Sequence, residues 1–249
     1  MRPLLIISDH PALPTAPHQQ TQHNPGTTLT QEMLPHHHLT SLYTCGILSL
    51  NHAVRRSLMA MTSTILPLGT TSPPFDLPDV VTGQRYSLDS FTAKTGLLVM
   101  FICRHCPYVV HVERELAKLG QDYQDTNLGI IAISSNDPIT YPDDAPPRLK
   151  EMAVRLGVTF PFCHDETQDV AKAYRAACTP EFYLFDRDRR LAYHGQLDDS
   201  RPGNNKPVTG LDLRAAIQAV LTGKSVEGNQ RPSIGCSIKW KPGHAPPYA

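Results

Sequence analysis

The 249-residue sequence predicts an α/β protein organised around a mostly parallel sheet. Three observations carry that expectation. Short apolar runs of strand length alternate with segments whose apolar residues recur at helical spacing. The run Leu97-Leu98-Val99-Met100-Phe101-Ile102 is apolar at every position, as a strand buried on both faces requires. It leads directly into Cys103-Arg104-His105-Cys106-Pro107, after which Val109, Val112, Leu116 and Leu119 mark one face of a helix.

The other elements follow in order. Phe75-Asp76-Leu77 and Arg85-Tyr86-Ser87 flank the turn Val81-Thr82-Gly83 and read as an N-terminal hairpin. In the helix after Cys106, Pro107 occupies the first turn, where its missing N–H costs nothing, and Gly120 is the expected C-cap. Leu128 to Ser134 is a second buried strand. The proline-rich stretch from Asp137 to Pro147 is a loop, followed by a helix with Leu149, Met152, Ala153 and Leu156 on its apolar face and Gly157 as its stop. Phe160 to Cys163 leaves room only for a short strand. Asp165-x-x-Gln168 has the spacing of a capping box, ahead of a helix carrying Val170 and Tyr174. Phe182 to Phe185 and Leu191 to Gln196, joined by the charged turn Asp186 to Arg190, form an antiparallel hairpin. A last helix starts near Thr209-x-x-Asp212, buries Leu213, Ile217, Val220 and Leu221, and stops at Gly223. Residues 224 to 249 show neither period, and no internal repeat is present.

Composition divides the chain near residue 60. The first 58 residues hold 7 of the 12 histidines and no sustained apolar periodicity, so disorder is expected there. The resulting division is an N-terminal extension over 1–60, a folded domain over 61–223 and a tail over 224–249. A start codon assigned too far upstream is the expected account of the extension, with Met59 and Met61 preceding the ordered sequence; a transit peptide for organelle import, suggested by Arg55-Arg56 and the scarcity of acidic residues, stays open. His36-His37-His38 and Cys45 belong to this extension and are expected to be irrelevant to the chemistry. From Met61 onward 20 basic residues face 21 acidic ones, which argues against nucleic acid or an anionic membrane as partner. No apolar run approaches the roughly 18 residues a membrane span needs. With no disulfide framework either, a cytoplasmic, reducing location is expected.

C-x-x-C by itself is shared by zinc sites, haem attachment sites and redox dithiols. Pro107 after Cys106 excludes the haem C-x-x-C-H pattern, and no second ligand pair with zinc spacing exists, since Cys163-His164 are adjacent. No metal and no cofactor are therefore expected. A strand-to-helix turn within an α/β pattern suits a redox dithiol, because the helix N-terminus favours a thiolate. Cys178-Thr179-Pro180 supports this: a proline immediately before the strand Phe182 to Phe185 is placed for a cis bond in a tight turn.

The segments FICRHCPYVVHVERELAKL, ISSNDPITYPDD, CTPEFYLFD, QLDDSRPGN and PSIGCSIKW, in that order, resemble the peroxiredoxin-like thioredoxin-fold family, grouped with the alkyl hydroperoxide reductase and thiol-specific antioxidant proteins. The resemblance spans roughly Leu66 to Lys241. It implies a thioredoxin-like fold: a central mixed sheet flanked by helices, an N-terminal hairpin, and an inserted strand-helix unit between the dithiol helix and the cis-proline. It further implies a partner groove formed by Thr179, Pro180 and Arg104 beside the dithiol. Cys103-x-His105-Cys106 is similar to the centre of disulfide oxidases, where a histidine stabilises the first thiolate. Typical peroxiredoxins place a Pro-x-x-x-Thr segment before the peroxidatic cysteine, and Met100 to His105 lack it.

The expected chemistry is thiol–disulfide exchange: Cys103 attacks, Cys106 resolves, and His105 lowers the pKa of an exposed Cys103. Lowering a thiol pKa from about 8.5 to about 6.5 raises the thiolate fraction at pH 7 roughly 25-fold while intrinsic nucleophilicity falls roughly 8-fold, a net gain of about 3-fold. The larger benefit is a better leaving group and a more oxidising disulfide. Expected partners are protein or small-molecule thiols and disulfides. A thiol-dependent hydroperoxide reductase is the alternative, and a non-catalytic metal- or partner-binding module the alternative of another class. Cys163 and Cys178 are expected as small buried hydrophobes, although Cys178 is close enough to Pro180 to face the dithiol. Cys236 would be a resolving thiol if the tail folds back, and Asp199 and Arg201 are candidates for a pocket.

Overall fold

The computed structural model describes residues 60–64, 66–226, 228 and 230–249; the expected N-terminal extension, apart from Ala60, lies outside them, with His36-His37-His38 and Cys45. The first half of the fold runs β1 (Ala60–Thr62), β2 (Asp76–Pro78), β3 (Arg85–Ser87), β4 (Gly96–Phe101), α1 (Pro107–Tyr123), β5 (Leu128–Ser134) and α2 (Pro146–Leu156). It continues through β6 (Phe162–His164), α3 (Asp169–Ala173), β7 (Cys178–Thr179), β8 (Glu181–Phe185), β9 (Leu191–Gly195), α4 (Leu211–Leu221) and β10 (Ile234–Ser237).

The main sheet has the order β6-β5-β4-β8-β9. β4 pairs parallel with β5 and β5 with β6, whereas β8 pairs antiparallel with both β4 and β9. It is therefore mixed, as the family resemblance implies, rather than mostly parallel. The uninterrupted apolar run explains the central place of β4, where every residue is buried. Leu97, Val99 and Phe101 face one core with Tyr174, Tyr183 and the N-terminal hairpin; Leu98, Met100 and Ile102 face the other with α1, α2 and α4. Each such side chain contributes about 1.5–3 kcal/mol by leaving water, so a polar replacement in β4 has no face on which to escape. The hairpin β2–β3 forms at the expected place. Among the described residues no helix is long and apolar enough to cross a membrane.

Three expectations are corrected. Gly120 does not cap α1, which runs on to Tyr123; a Cβ at Gly120 would lie 2.6 Å from the Phe160 ring, so the glycine serves close packing within the helix. Asp165 and Gln168 form no capping box. Asp165 accepts from Ser135 Oγ and the Ala171 N–H at 2.8 and 2.9 Å, while the Gln168 amide donates to Ser135 O and Lys239 O at 2.7 and 3.0 Å and accepts from the Lys241 N–H at 2.9 Å. Gln168 thus fastens the C-terminal segment to the domain. Third, the tail is not without strand structure. β10 pairs with β7 on one side and β1 on the other, a three-stranded strip whose register places Cys236 opposite Thr179 and Ala60. The short length of β10 and its mixture of small and polar residues hide it from any periodicity test.

Candidate active site

Cys103 follows β4 and Cys106 is the N-cap of α1, with Pro107 at the first helical position. The Thr179-Pro180 bond, between β7 and β8, is cis. Thr179 meets both thiols: its Oγ1 lies 3.3 Å from Cys103 Sγ, and its carbonyl accepts from the Cys106 thiol at 3.2 Å. The parts that the sequence separates by more than seventy residues are therefore in direct contact. Both sulfurs are buried, Cys103 at 1 % exposure and Cys106 at 0 %.

This burial overturns the expectation of an exposed, acidic Cys103. Burial, the Cys106 sulfur and the Asp144 carboxylate push the Cys103 thiol well above its ordinary value. Hydrogen bonds from the Cys103 and Cys236 thiols pull Cys106 down. Cys106 is therefore the thiol of the pair that ionises first, because neighbouring thiols stabilise its charged form while a carboxylate stands over Cys103.

His105 also departs from its expected role. Its Nδ1 pairs with Asp144 Oδ2, and its ring stacks on Tyr141 with centroids 5.3 Å apart. The influence of His105 on the dithiol therefore runs through Asp144. That carboxylate is fully buried and gathers four donors: the Arg104 and His105 N–H groups at 2.7 and 3.1 Å, Asn136 Nδ2 at 2.7 Å, and His105 Nδ1. Burial pushes the Asp144 carboxyl up, but the His105 and Asn136 hydrogen bonds and the His105 charge outweigh it and hold the group below the usual carboxylate range. Asp144 thus ties the loop between the cysteines to the far side of the site. One ligand atom each from Cys103, His105 and Asp144 lies within 4.8 Å of the others, so among the described residues these three are grouped closely enough to hold a metal ion.

The remaining candidates separate cleanly. Arg104 turns away to Asp143 Oδ1 at 2.9 Å, which takes its guanidinium out of the groove it was expected to line. Arg201 does reach the site: with Pro180, Tyr108, Ser200, Ser233 and Ile234 it lines a cleft beside the cis-proline, held by the Asp198 and Ser200 carbonyls at 2.6 Å. Asp199 instead pairs outward with Arg231 and with Lys206 at 3.2 Å, and these hydrogen bonds, with one from Gln196, lower its pKa. Cys178 is fully buried and donates to Pro180 O at 3.9 Å. Burial, followed by the Glu181 charge, raises its thiol. Cys163 lies in the opposite core, and burial and the nearby Asp79 push it up to about 12. Cys236 lies on β10 in the same core as Cys103 and Cys106, opposite Thr179.

Sequence reasoning missed Asp144, Asn136 and Tyr141. All three stand in ISSNDPITYPDD, a stretch that carried the family resemblance without any residue in it being given a role. Asp198, read from the sequence with Asp199 and Arg201 as a solvated loop that the family resemblance made a pocket candidate, is buried instead: its Oδ2 accepts from the Thr209 and Gly210 N–H groups at 2.6 and 2.7 Å and anchors the start of α4. Gly235 was passed over as well. A Cβ there would lie 2.0 Å from Thr179 O, so only glycine lets β10 approach the cis-proline loop. Gly235→Ala is expected to destabilise the domain by about 1–3 kcal/mol or more through overpacking. Thermal unfolding of the variant measures this, and an unchanged melting temperature would mean that β10 is free to shift.

The AhpC/TSA family profile matches residues 68–194. The crystal structure of an uncharacterized conserved protein from Geobacillus kaustophilus is 52% identical in sequence, with a TM-score of 0.72, covering 74% of this chain and 97% of that one. Protein FixW of Rhizobium leguminosarum is 26% identical over 53% of this chain and 62% of its own length, so the chain spans less than two thirds of that relative. The thiol-disulfide oxidoreductase ResA of Geobacillus thermodenitrificans is 26% identical over 51% of this chain and 68% of its own length. The matched region contains the N-terminal hairpin, both active cysteines and the cis-proline of a thioredoxin-like fold, and the chain belongs to the AhpC/TSA family.

Proposed function

We propose that the protein is a thiol–disulfide oxidoreductase acting on protein or small-molecule disulfides through Cys103 and Cys106. The observation that carries the reading is the contact of both sulfurs with Thr179, beside the groove edge that cis-Pro180 forms. Both sulfurs are buried; attack falls to Cys103, in the loop ahead of α1, and resolution to Cys106, the N-cap whose thiol donates to the Thr179 carbonyl. On attack, the Cys103 proton passes to the Cys106 thiolate, and the Cys103 sulfur bonds to one sulfur of the substrate while the other leaves as a thiolate. Cys106, its thiol hydrogen accepted by Thr179 O, then passes that proton to the first substrate thiolate and attacks Cys103 Sγ, the second substrate sulfur leaving with the electron pair of its bond to Cys103. The Cys103–Cys106 disulfide remains, to be reduced by an external thiol.

Family membership makes hydroperoxide reduction through a sulfenic acid the second reading. The charge nearest Cys103 opposes it, because the Asp144 carboxylate raises the thiol and the Arg104 guanidinium is committed to Asp143. Stopped-flow mixing of the reduced protein with hydrogen peroxide and with a model disulfide compares the two directly. Faster reaction with the disulfide is expected; the opposite order would make the protein a peroxidase.

A further inference from the structure

We propose that Cys236 is a third redox thiol of this site, able to replace Cys103 as the disulfide partner of Cys106. The inference rests on the dithiol reading above. The register of β10 sets Cys236 opposite Thr179, the residue that touches both other sulfurs. Gly235 removes the side chain that would keep β10 away from the Thr179 carbonyl, and β1 holds the far edge of β10 in place. Cys236 is 4 % exposed and lies in the same buried cluster as Cys103 and Cys106. With Cys236 set opposite Thr179 and the Cys106 thiol donating to the Thr179 carbonyl, β10 is already placed for a Cys106–Cys236 bond of about 2.05 Å to close.

The exchange balances without an outside reagent. Starting from the Cys103–Cys106 disulfide, the Cys236 thiolate attacks Cys106 Sγ. The Cys103–Cys106 bond breaks with its electron pair on Cys103, and a Cys106–Cys236 bond forms. Cys236 loses a proton to water, Cys103 gains one, and the protein stays at the same oxidation level. The hydrogen bond to Cys106, together with burial, holds Cys236 protonated while Cys106 is a thiolate. Once Cys106 is bound in a disulfide that charge is gone, so Cys236 becomes ionisable at the moment its target exists. Asp144 disfavours the departing Cys103 thiolate and drives it to protonate. The outcome is a free Cys103 at the partner side, with the oxidising equivalent stored behind it.

The test uses the full chain oxidised with one equivalent of diamide, blocked with N-ethylmaleimide and mapped without reduction. Trypsin cuts after Arg104, so Cys103, Cys106 and Cys236 report on separate peptides. A Cys106–Cys236 crosslink is expected beside the Cys103–Cys106 one. In Cys103→Ser the Cys106–Cys236 crosslink is expected in nearly every chain, and in Cys103→Ser/Cys236→Ser it disappears. Cys236→Ala, checked for an unchanged circular dichroism spectrum, is expected to shift all crosslinked Cys106 to Cys103. If the wild type gives only Cys103–Cys106, and folded Cys103→Ser keeps Cys106 and Cys236 as thiols, the proposal is overturned while the dithiol reading stands. A wild type without any crosslink at Cys106 overturns both.

Discussion

Cys106→Ser is expected to stop at a covalent complex in which Cys103 stays bonded to its disulfide partner. The resolving sulfur is then missing, and Cys236 is not expected to replace it, because its register sets it against Thr179 on the Cys106 side of the pair. Well-oriented intramolecular groups reach effective molarities of about 10⁵ M, so an external thiol at millimolar concentration releases the partner slower by up to about 10⁸-fold. Cys103→Ser is expected to lose exchange with no trapped partner, since the attacking sulfur is gone and Cys106, the N-cap whose thiol donates to the Thr179 carbonyl, only resolves. Mass spectrometry of each variant after reaction with a model disulfide reads the adduct. A stable adduct in Cys103→Ser, and none in Cys106→Ser, would reverse the order of the two thiols. A thiolate absorbance titration adds an independent check. The thiolate of the reduced pair should vanish near neutral pH in Cys106→Ser and persist in Cys103→Ser, because Cys106 is the thiol that ionises first.

Asp144→Ala is expected to be the most destabilising single change at the site. It removes the acceptor shared by two main-chain N–H groups, the Asn136 amide and His105 Nδ1. Each buried donor left unsatisfied costs about 1–3 kcal/mol, so a loss of about 3–5 kcal/mol is expected, which for a chain of this size lowers the melting temperature by about 6–20 °C. The pH dependence has a definite sign. The folded-state pKa of Asp144 is depressed, so its contribution is fully present above the unfolded carboxyl value of about 3.9 and is lost as pH falls through the folded value. The gap between wild type and variant should therefore narrow as the pH drops below about 4. Asp144→Asn keeps most of the shape and removes the charge, so it should lower the Cys103 pKa. Calorimetry across pH, with alkylation rates of Cys103, measures both. Equal stability at neutral pH, or a Cys103 unchanged in Asp144→Asn, would contradict the role assigned to this carboxylate.

The parts of this protein that were legible in its sequence are those in which the cause is local. A run of six apolar residues can only be a central strand, and a C-x-x-C between that strand and an amphipathic helix can only stand at a helix start. Pro180 was legible because proline is barred from strand interiors yet stands directly before one. What escaped was set by groups far apart in the chain. Nothing within Pro142-Asp143-Asp144 marks its last carboxylate as buried, since its partners are Asn136 and the loop of Cys103. The acidity order of the two thiols was misread for the same reason. A helix N-terminus and a neighbouring histidine are visible in sequence, whereas a carboxylate over one sulfur and a distant thiol on the other are not. Gly120 was misread because close approach to Phe160 and a helix end ask for the same residue.

The strip β1-β10-β7 also has a meaning in time. The helix that begins at Pro107 is complete at Tyr123, about 110 residues before β10, and at about 5–20 residues per second the ribosome needs roughly 6–22 s to cover that distance. Throughout that interval Cys103 and Cys106 are present in a chain that has not yet made β10. A newborn copy therefore carries its reactive pair without the strand that flanks it, and acquires the third sulfur only when residue 236 is added.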